Sequence, residues 1–292
     1  MPHIFPYTIS IAGITLRMDT DRPLAPEGNF APFLTEERNP DFLARFRQVA
    51  ELPPIPEKIL HEDTCYRVHP DGRGGYLRSF FDRPRDLTAY AVATYDYPRG
   101  RIQVDYLEKG APCVSEMRNS FFHLGLEAML IHKNRLCLHA ACVDTELGGI
   151  LFSGPSGIGK STQAELWCAN RGAKQINGDR PILSRDEDGW LAWGSPYAGS
   201  SRCHINESCP VTAIVMLRQA KQCGLRRLPL PEAFRAVWSG LTVYSWDKAF
   251  VEAASGLALE LIASVPVLEF ACTPDPQAVE YLEQGLRKEC GL

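Results

Sequence analysis

The run Gly154-Pro155-Ser156-Gly157-Ile158-Gly159-Lys160-Ser161, followed by Thr162, constrains this chain more than any other stretch. It fits G-x-x-x-x-G-K-[ST] at every fixed position. Its glycines let the backbone turn tightly, so that successive N–H groups point inward at phosphate oxygens. Lys160 adds a point charge for the β- and γ-phosphates, and the Ser161 hydroxyl adds a ligand for Mg²⁺. Residues 149–153 read as a short buried strand and residues 160–171 as a helix that Gly172 terminates. The positive end of the helix dipole therefore faces the phosphates. The motif predicts a nucleotide site over residues 154–162, with ATP and Mg²⁺ expected. Such a loop reads phosphates and leaves the base open.

A chain of 292 residues has room for one large or two medium domains. Its net charge of −4 comes without a block of like charges, so neither a nucleic acid nor an anionic membrane is an expected partner. The apolar stretch near the C-terminus is interrupted by Glu260, Pro266 and Glu269, too soon to span a bilayer. Pro2 and Pro6 occur where a signal peptide would carry a cationic head and an apolar run. Ten cysteines without a C-x-x-C pair, several in apolar segments, fit reduced thiols in a cytoplasmic chain. Cys203, His204 and Cys209 match no zinc spacing.

The order of signals predicts a mixed α/β chain with two domains: a mainly antiparallel β region over 1–112 and a nucleotide-binding domain over 113–292. In the first, 7–16 alternates as one opening strand, and 42–50 is a strand or a short helix. Two hairpins turn at 70–75 and 97–100. Apolar residues at 117, 121, 124, 128 and 131 predict one helix over 115–133, with Ser115 as N-cap and Asn134 as terminator. His123 and His132 read as packed or surface residues. A strand over 136–144 carries His139, and a strand over 173–177 ends in Gly178-Asp179. An acidic residue there commonly faces metal and γ-phosphate. An Asp-Gly hairpin follows at 186–189, then a small-residue loop over 194–201 that leads to Arg202. Further strands are expected over 211–217 and 265–271, and helices over 231–239, 247–264 and 276–286.

Three pieces together, Leu138-His139-Ala140-Ala141, the glycine-rich loop, and Ile176-Asn177-Gly178-Asp179-Arg180-Pro181, resemble the HPr serine kinase/phosphorylase family. That family shares its core with ATP-dependent phosphoenolpyruvate carboxykinases. The end of the chain also resembles shorter kinase-like members found beside peptide-modification genes. The resemblance spans roughly residues 135–290. It implies a P-loop core in which Lys160 is the phosphate lysine, Ser161 and Asp179 hold Mg²⁺, and His139 lies near the reacting phosphate. It also hints at homo-oligomers. Gly178 stands where the family has the first of two aspartates, and the segment that marks true HPr kinases is not evident, which argues against HPr as substrate.

The resulting expectation is a Mg·ATP-dependent kinase acting on a hydroxyl, of serine above all, in a peptide, a protein or a small molecule. Asp179 or His139 would orient the hydroxyl, Lys160 would stabilise charge, and Arg202 would bind an anionic part of the acceptor. A nucleotide-binding regulatory module without transferase activity is the alternative, and Gly178 is what favours it. A decarboxylating carboxykinase-like enzyme needs further cationic and metal-binding residues that the sequence does not present.

Overall fold

A computed structural model describes residues 3–25, 28–83, 86 and 88–291, so Pro2 lies outside the described residues. Contacts cluster into two units, residues 1–132 and 133–292. The helical stretch that the sequence assigns to the second domain clusters with the first.

The first unit opens with β1 (Phe5–Ile11) and β2 (Ile14–Thr20). The single expected strand is a hairpin instead, because Ala12 and Gly13 both adopt positive φ, 51° and 72°. Next come β3 (Phe42–Gln48), β4 (His61–Glu62), β5 (Tyr66–Pro70), β6 (Tyr76–Phe80), β7 (Ala91–Asp96) and β8 (Arg101–Tyr106). The strand order is β1-β2-β3-β8-β7-β6-β5-β4. Both turn-containing hairpins form as the glycine and proline signals predict. The sheet is mixed all the same: β3 runs parallel to β2 and to β8, since long connections lead into it and away from it.

Two helices, α1 (Met117–Leu124) and α2 (Leu126–His132), replace the one helix expected over 115–133. Gly125 breaks it with φ 69°, and a Cβ there would fall 2.6 Å from the Tyr97 hydroxyl. Glu116, not Ser115, is the N-cap. His123 is fully buried. Its Nδ1 lies 2.7 Å from the Asn119 carbonyl and its Nε2 2.9 Å from the Tyr90 hydroxyl. A neutral ring satisfies both, donating to the carbonyl and accepting from the phenol.

Burial, with a smaller contribution from the Arg78 charge, lowers the His123 pKa from 6.5 to about 4. The folded state thus binds fewer protons than the unfolded state between those values. Stability is complete above pH 6.5 and falls as pH drops toward 4, by up to about 3 kcal/mol. Urea unfolding at pH 7.5 and pH 4.5 should show that loss in wild type and a smaller one in His123→Gln. Equal losses in the two proteins would contradict the assignment.

The second unit contains β9 (Arg135–Cys137), β10 (Ala140–Thr145), β11 (Gly148–Ser153), α3 (Lys160–Arg171), β12 (Lys174–Asn177), β13 (Ile182–Arg185) and β14 (Trp190–Trp193). After them come β15 (Ser208–Gln219), β16 (Gly224–Arg227), α4 (Leu230–Gly240), α5 (Lys248–Ser264), β17 (Val267–Cys272) and α6 (Pro276–Cys290). Strands follow the path β12-β10-β11-β15-β14-β13-β9, and β17 also pairs with β15 and carries β16. The strand expected over 136–144 is interrupted at Leu138-His139, because β9 pairs with β13 while β10 pairs with β11 and β12. β16 escapes sequence reading: it lacks apolar alternation, and Arg226 instead reaches Glu269 and Glu232 at 3.0 and 2.9 Å.

β11, β15 and β17 run parallel. Phe152, Val215 and Phe270 from these strands share a buried cluster with Trp167 of α3 and Leu282 of α6. This packing fixes the start of α3 beside the carboxyl ends of the parallel strands, where ligands of open α/β sheets bind. All ten cysteines are free thiols. Among the described residues, no helix is long and apolar enough to cross a membrane.

Candidate phosphate-binding site

The stretch between β11 and α3 turns through glycines at φ 140° (Gly154), 77° (Gly157) and 112° (Gly159). Space around Gly157 and Gly159 is open, so the left-handed backbone, not crowding, is what demands glycine there. Gly159 is the N-cap of α3 and offers no side chain to its first-turn N–H groups. Those donors and the helix dipole are suited to an anion.

Lys160 is 8% exposed, and its Nζ donates to the carbonyls of Gly154 (3.0 Å) and Pro155 (3.1 Å). Burial lowers its pKa, and the nearby Asp179 charge acts in the opposite direction. Gln219, at the end of β15, donates from Nε2 to the carbonyls of Gly157 and Ile158 at 3.3 and 3.4 Å, tying the loop to the sheet edge.

A cavity of about 280 Å³ opens over this turn, lined by Ser156, Gly157, Gly159, Lys160, Ser161 and Thr162 together with His139, Gly178 and Asp179. Gly154, Pro155 and Ile158 complete the loop without lining that cavity. Ile158 instead lines a neighbouring cavity of about 400 Å³, between the ends of β15 and β17, with Gln219, Ala220, Cys272, Thr273 and Pro274. The two cavities share Gly157, Gly159 and Thr162.

His139 is placed through its backbone. Its N–H donates to the Gly240 carbonyl at 2.7 Å, and its carbonyl accepts from the buried Ser153 hydroxyl at 2.9 Å. His139 Nε2 lies 3.3 Å from Asp179 Oδ1, and Arg180 Nε lies 3.7 Å from Asp179 Oδ2. Burial lowers the His139 pKa; Lys160 and Arg180 act in the same direction, and Asp179 opposes them. The ring is therefore neutral at pH 7 and able to accept a proton.

Asp179 is positioned by Asn177, which sequence reading passed over. Asn177 is fully buried, and its Oδ1 accepts from the N–H groups of Asp179 (2.9 Å) and Arg180 (2.6 Å). Its Nδ2 donates to the Ser195 carbonyl at 3.1 Å, and the Ser195 hydroxyl donates to the Arg180 carbonyl at 2.7 Å. An asparagine bonding the backbone two residues on is the sequence signal that was there to find. Arg180 itself donates from Nη1 to the Thr242 hydroxyl.

Gly178 is enforced by close packing. A Cβ at this position would lie 1.6 Å from Ser201 Oγ and 2.9 Å from the Ala198 carbonyl oxygen. The 3₁₀ turn Gly199–Ser201 fills the space that a side chain at 178 would take. Arg202, left-handed at the end of that turn (φ 55°), is exposed and does not line the cavity that gathers His139, Lys160 and Asp179. The side chain of Ser200 lies outside what the structure describes. Gly178→Asp should therefore destabilise the chain by about 1–3 kcal/mol, the range for overpacking a filled site. Thermal unfolding should show a lowered midpoint, partly recovered when Ser201→Gly is added. An unchanged midpoint would mean that the turn moves aside freely.

No family model matches the chain, and no curated protein matches it. Among solved structures it is similar to the HPr(Ser) kinase/phosphatase from Coxiella burnetii, with 16% identity and a TM-score of 0.30 over 52% of this chain and 91% of that one. A similarity of that size does not fix a family.

Proposed function

We propose that this chain is a phosphotransferase that moves the γ-phosphate of ATP to a hydroxyl, of serine above all, on a peptide, a protein or a small molecule. One observation carries the reading: a helix N-terminus with its glycine turn, a buried lysine and the His139–Asp179 pair converge on one cavity. The turn suits the phosphates, and the adjoining cavity at the ends of β15 and β17 suits ribose and base.

The acceptor oxygen forms its bond to the γ-phosphorus as the bond from that phosphorus to the β,γ-bridging oxygen breaks. Lys160 and the α3 N–H groups offset the charge that builds on the phosphate oxygens. The hydroxyl proton passes to the His139–Asp179 pair, a neutral imidazole beside a carboxylate. Ser161 and Asp179, both on the cavity wall, are the oxygen donors that would hold Mg²⁺ alongside phosphate oxygens. When bound, that ion would supply charge neutralisation.

The test is transfer of label from γ-labelled ATP with Mg²⁺ into a size-fractionated extract of the source cell. An acid-stable, alkali-labile phosphate ester that depends on the added chain is the expected product. Gly178 favours a second reading, a nucleotide-binding module without transfer, because the position of one family carboxylate is taken up by Ser201 and Ala198. Bound ATP with no labelled product and no hydrolysis would favour that reading over the first.

A further inference from the structure

The first unit carries an arginine-lined pocket that neither the phosphate site nor the sequence motifs account for. Strand register builds it. Leu43 pairs with Arg101 and Arg45 with Gln103 across β3 and β8, and Arg101 pairs with Asp96 and Gln103 with Thr94 across β8 and β7. Cross-strand partners share a face of the sheet, so β3, β8 and β7 present these side chains together. Arg73, from the turn between β5 and β6, joins them around a cavity of about 390 Å³.

Charge on this face is unevenly matched. Arg17 is paired with Asp19 at 2.7 Å, Arg47 with Asp105 at 3.0 Å and Arg99 with Asp96 at 2.9 Å. Asp96, the one carboxylate lining the pocket among the described residues, is thus already engaged, and it also accepts from the Arg99 N–H. Arg45, Arg73 and Arg101 have no carboxylate within ion-pair distance among the described residues, and all three are exposed. The pocket therefore gathers three exposed guanidinium groups outside any ion pair among the described residues, beside the half-buried side chain of Leu43, although Asp19 and Asp96 stand opposite Arg45 and Arg101 in register. Guanidinium forks match carboxylates in two-point geometry. The cavity, about 390 Å³ and bounded by three strands and one turn, has room for a few side chains, which favours a compact acidic group over an extended polyanion.

We infer that this pocket binds a short acidic peptide segment, in which Asp or Glu side chains meet Arg45, Arg73 and Arg101 and an aliphatic neighbour rests on Leu43. The site is independent of the phosphate cavity and does not require the chain to be a kinase.

Fluorescence anisotropy with the full chain tests it, using fluorescein-labelled Glu-Asp-Leu-Glu-Asp-Leu and its Gln/Asn counterpart. The acidic probe should saturate, and raising salt should weaken it. The double variant Arg45→Gln/Arg101→Gln should bind at least about tenfold more weakly, while Arg47→Gln, which removes an already paired arginine, should change binding by less than about twofold. Unaltered thermal midpoints establish that the variants fold. Lys160→Ala should bind the acidic probe like wild type, and the double variant should bind ATP like wild type, so the two readings fail separately. Equal binding of the neutral probe, wild-type binding by the double variant, or displacement by inorganic phosphate well below the peptide's own dissociation constant would overturn the inference. So would the lack of saturation at about 1 mM, a ceiling of very weak affinity.

Discussion

Asp179→Asn is expected to lower phosphoryl transfer by about 10²–10⁴-fold, the range for loss of a positioned general base. The substitution keeps the size of the side chain, and the turn that holds it is built by Asn177 bonding to the backbone of residues 179 and 180. Geometry should therefore survive, and affinity for nucleotide without added metal should hardly move. What disappears is the carboxylate 3.3 Å from His139 Nε2, and with it a factor that raises the His139 pKa. Residual transfer should then fall off, as pH is lowered, at a more acidic midpoint than in wild type. Single-turnover rates from pH 5 to 8 measure both effects. Unchanged transfer would remove Asp179 from the chemistry and leave Gly178-Asp179 as a turn.

Lys160→Ala is expected to lower transfer by about 10²–10³-fold, comparable to removing one preorganised charge-stabilising donor. Unlike Asp179→Asn, it should also weaken nucleotide binding, since the ammonium would meet phosphate before and during transfer. Among the described residues, the hydrogen bonds of Lys160 Nζ go to two carbonyls of its own loop, Gly154 and Pro155. Its burial disfavours the charged form and so works against stability. Stability should change little, or rise, when the ammonium is removed. Calorimetric ATP titration beside thermal unfolding separates the two effects; a large loss of stability with intact ATP binding would make Lys160 a structural residue.

How much of this was legible beforehand depends on how local the determinant is. The loop from Gly154 to Thr162, α3 with Gly172 at its end, and the Asp186–Gly189 hairpin are written in neighbouring residues, and they form where expected. His139 and Asp179 were legible as candidates, but what places them was not. The clasp on His139 comes from Gly240 and Ser153, and the turn under Asp179 from Asn177 and Ser195. Apart from the local Asn177 turn, whose signal lies in neighbouring residues, these contacts join segments well separated in sequence, where periodicity carries no signal. Gly178 shows the same limit: the resemblance to a kinase family only notes a glycine where that family has an aspartate, whereas the fold shows Ser201 and Ala198 packed where a side chain would go. Helix continuity misled at Gly125, because an apolar stripe persists across a left-handed glycine. The arginine pocket was invisible, since Arg45, Arg73 and Arg101 meet only through the register of β3, β8 and β7 and one turn.

The most direct measurement needs no acceptor: calorimetric titration of ATP, ADP and AMP into wild type and Lys160→Ala. If the turn before α3 grips the β- and γ-phosphates, ATP and ADP bind wild type at least about a hundredfold more tightly than AMP, a difference of about 2.7 kcal/mol, and Lys160→Ala loses most of that preference. Equal affinity for AMP and ATP, or full ATP affinity in Lys160→Ala, would contradict a phosphate-gripping loop and the transfer chemistry built on it.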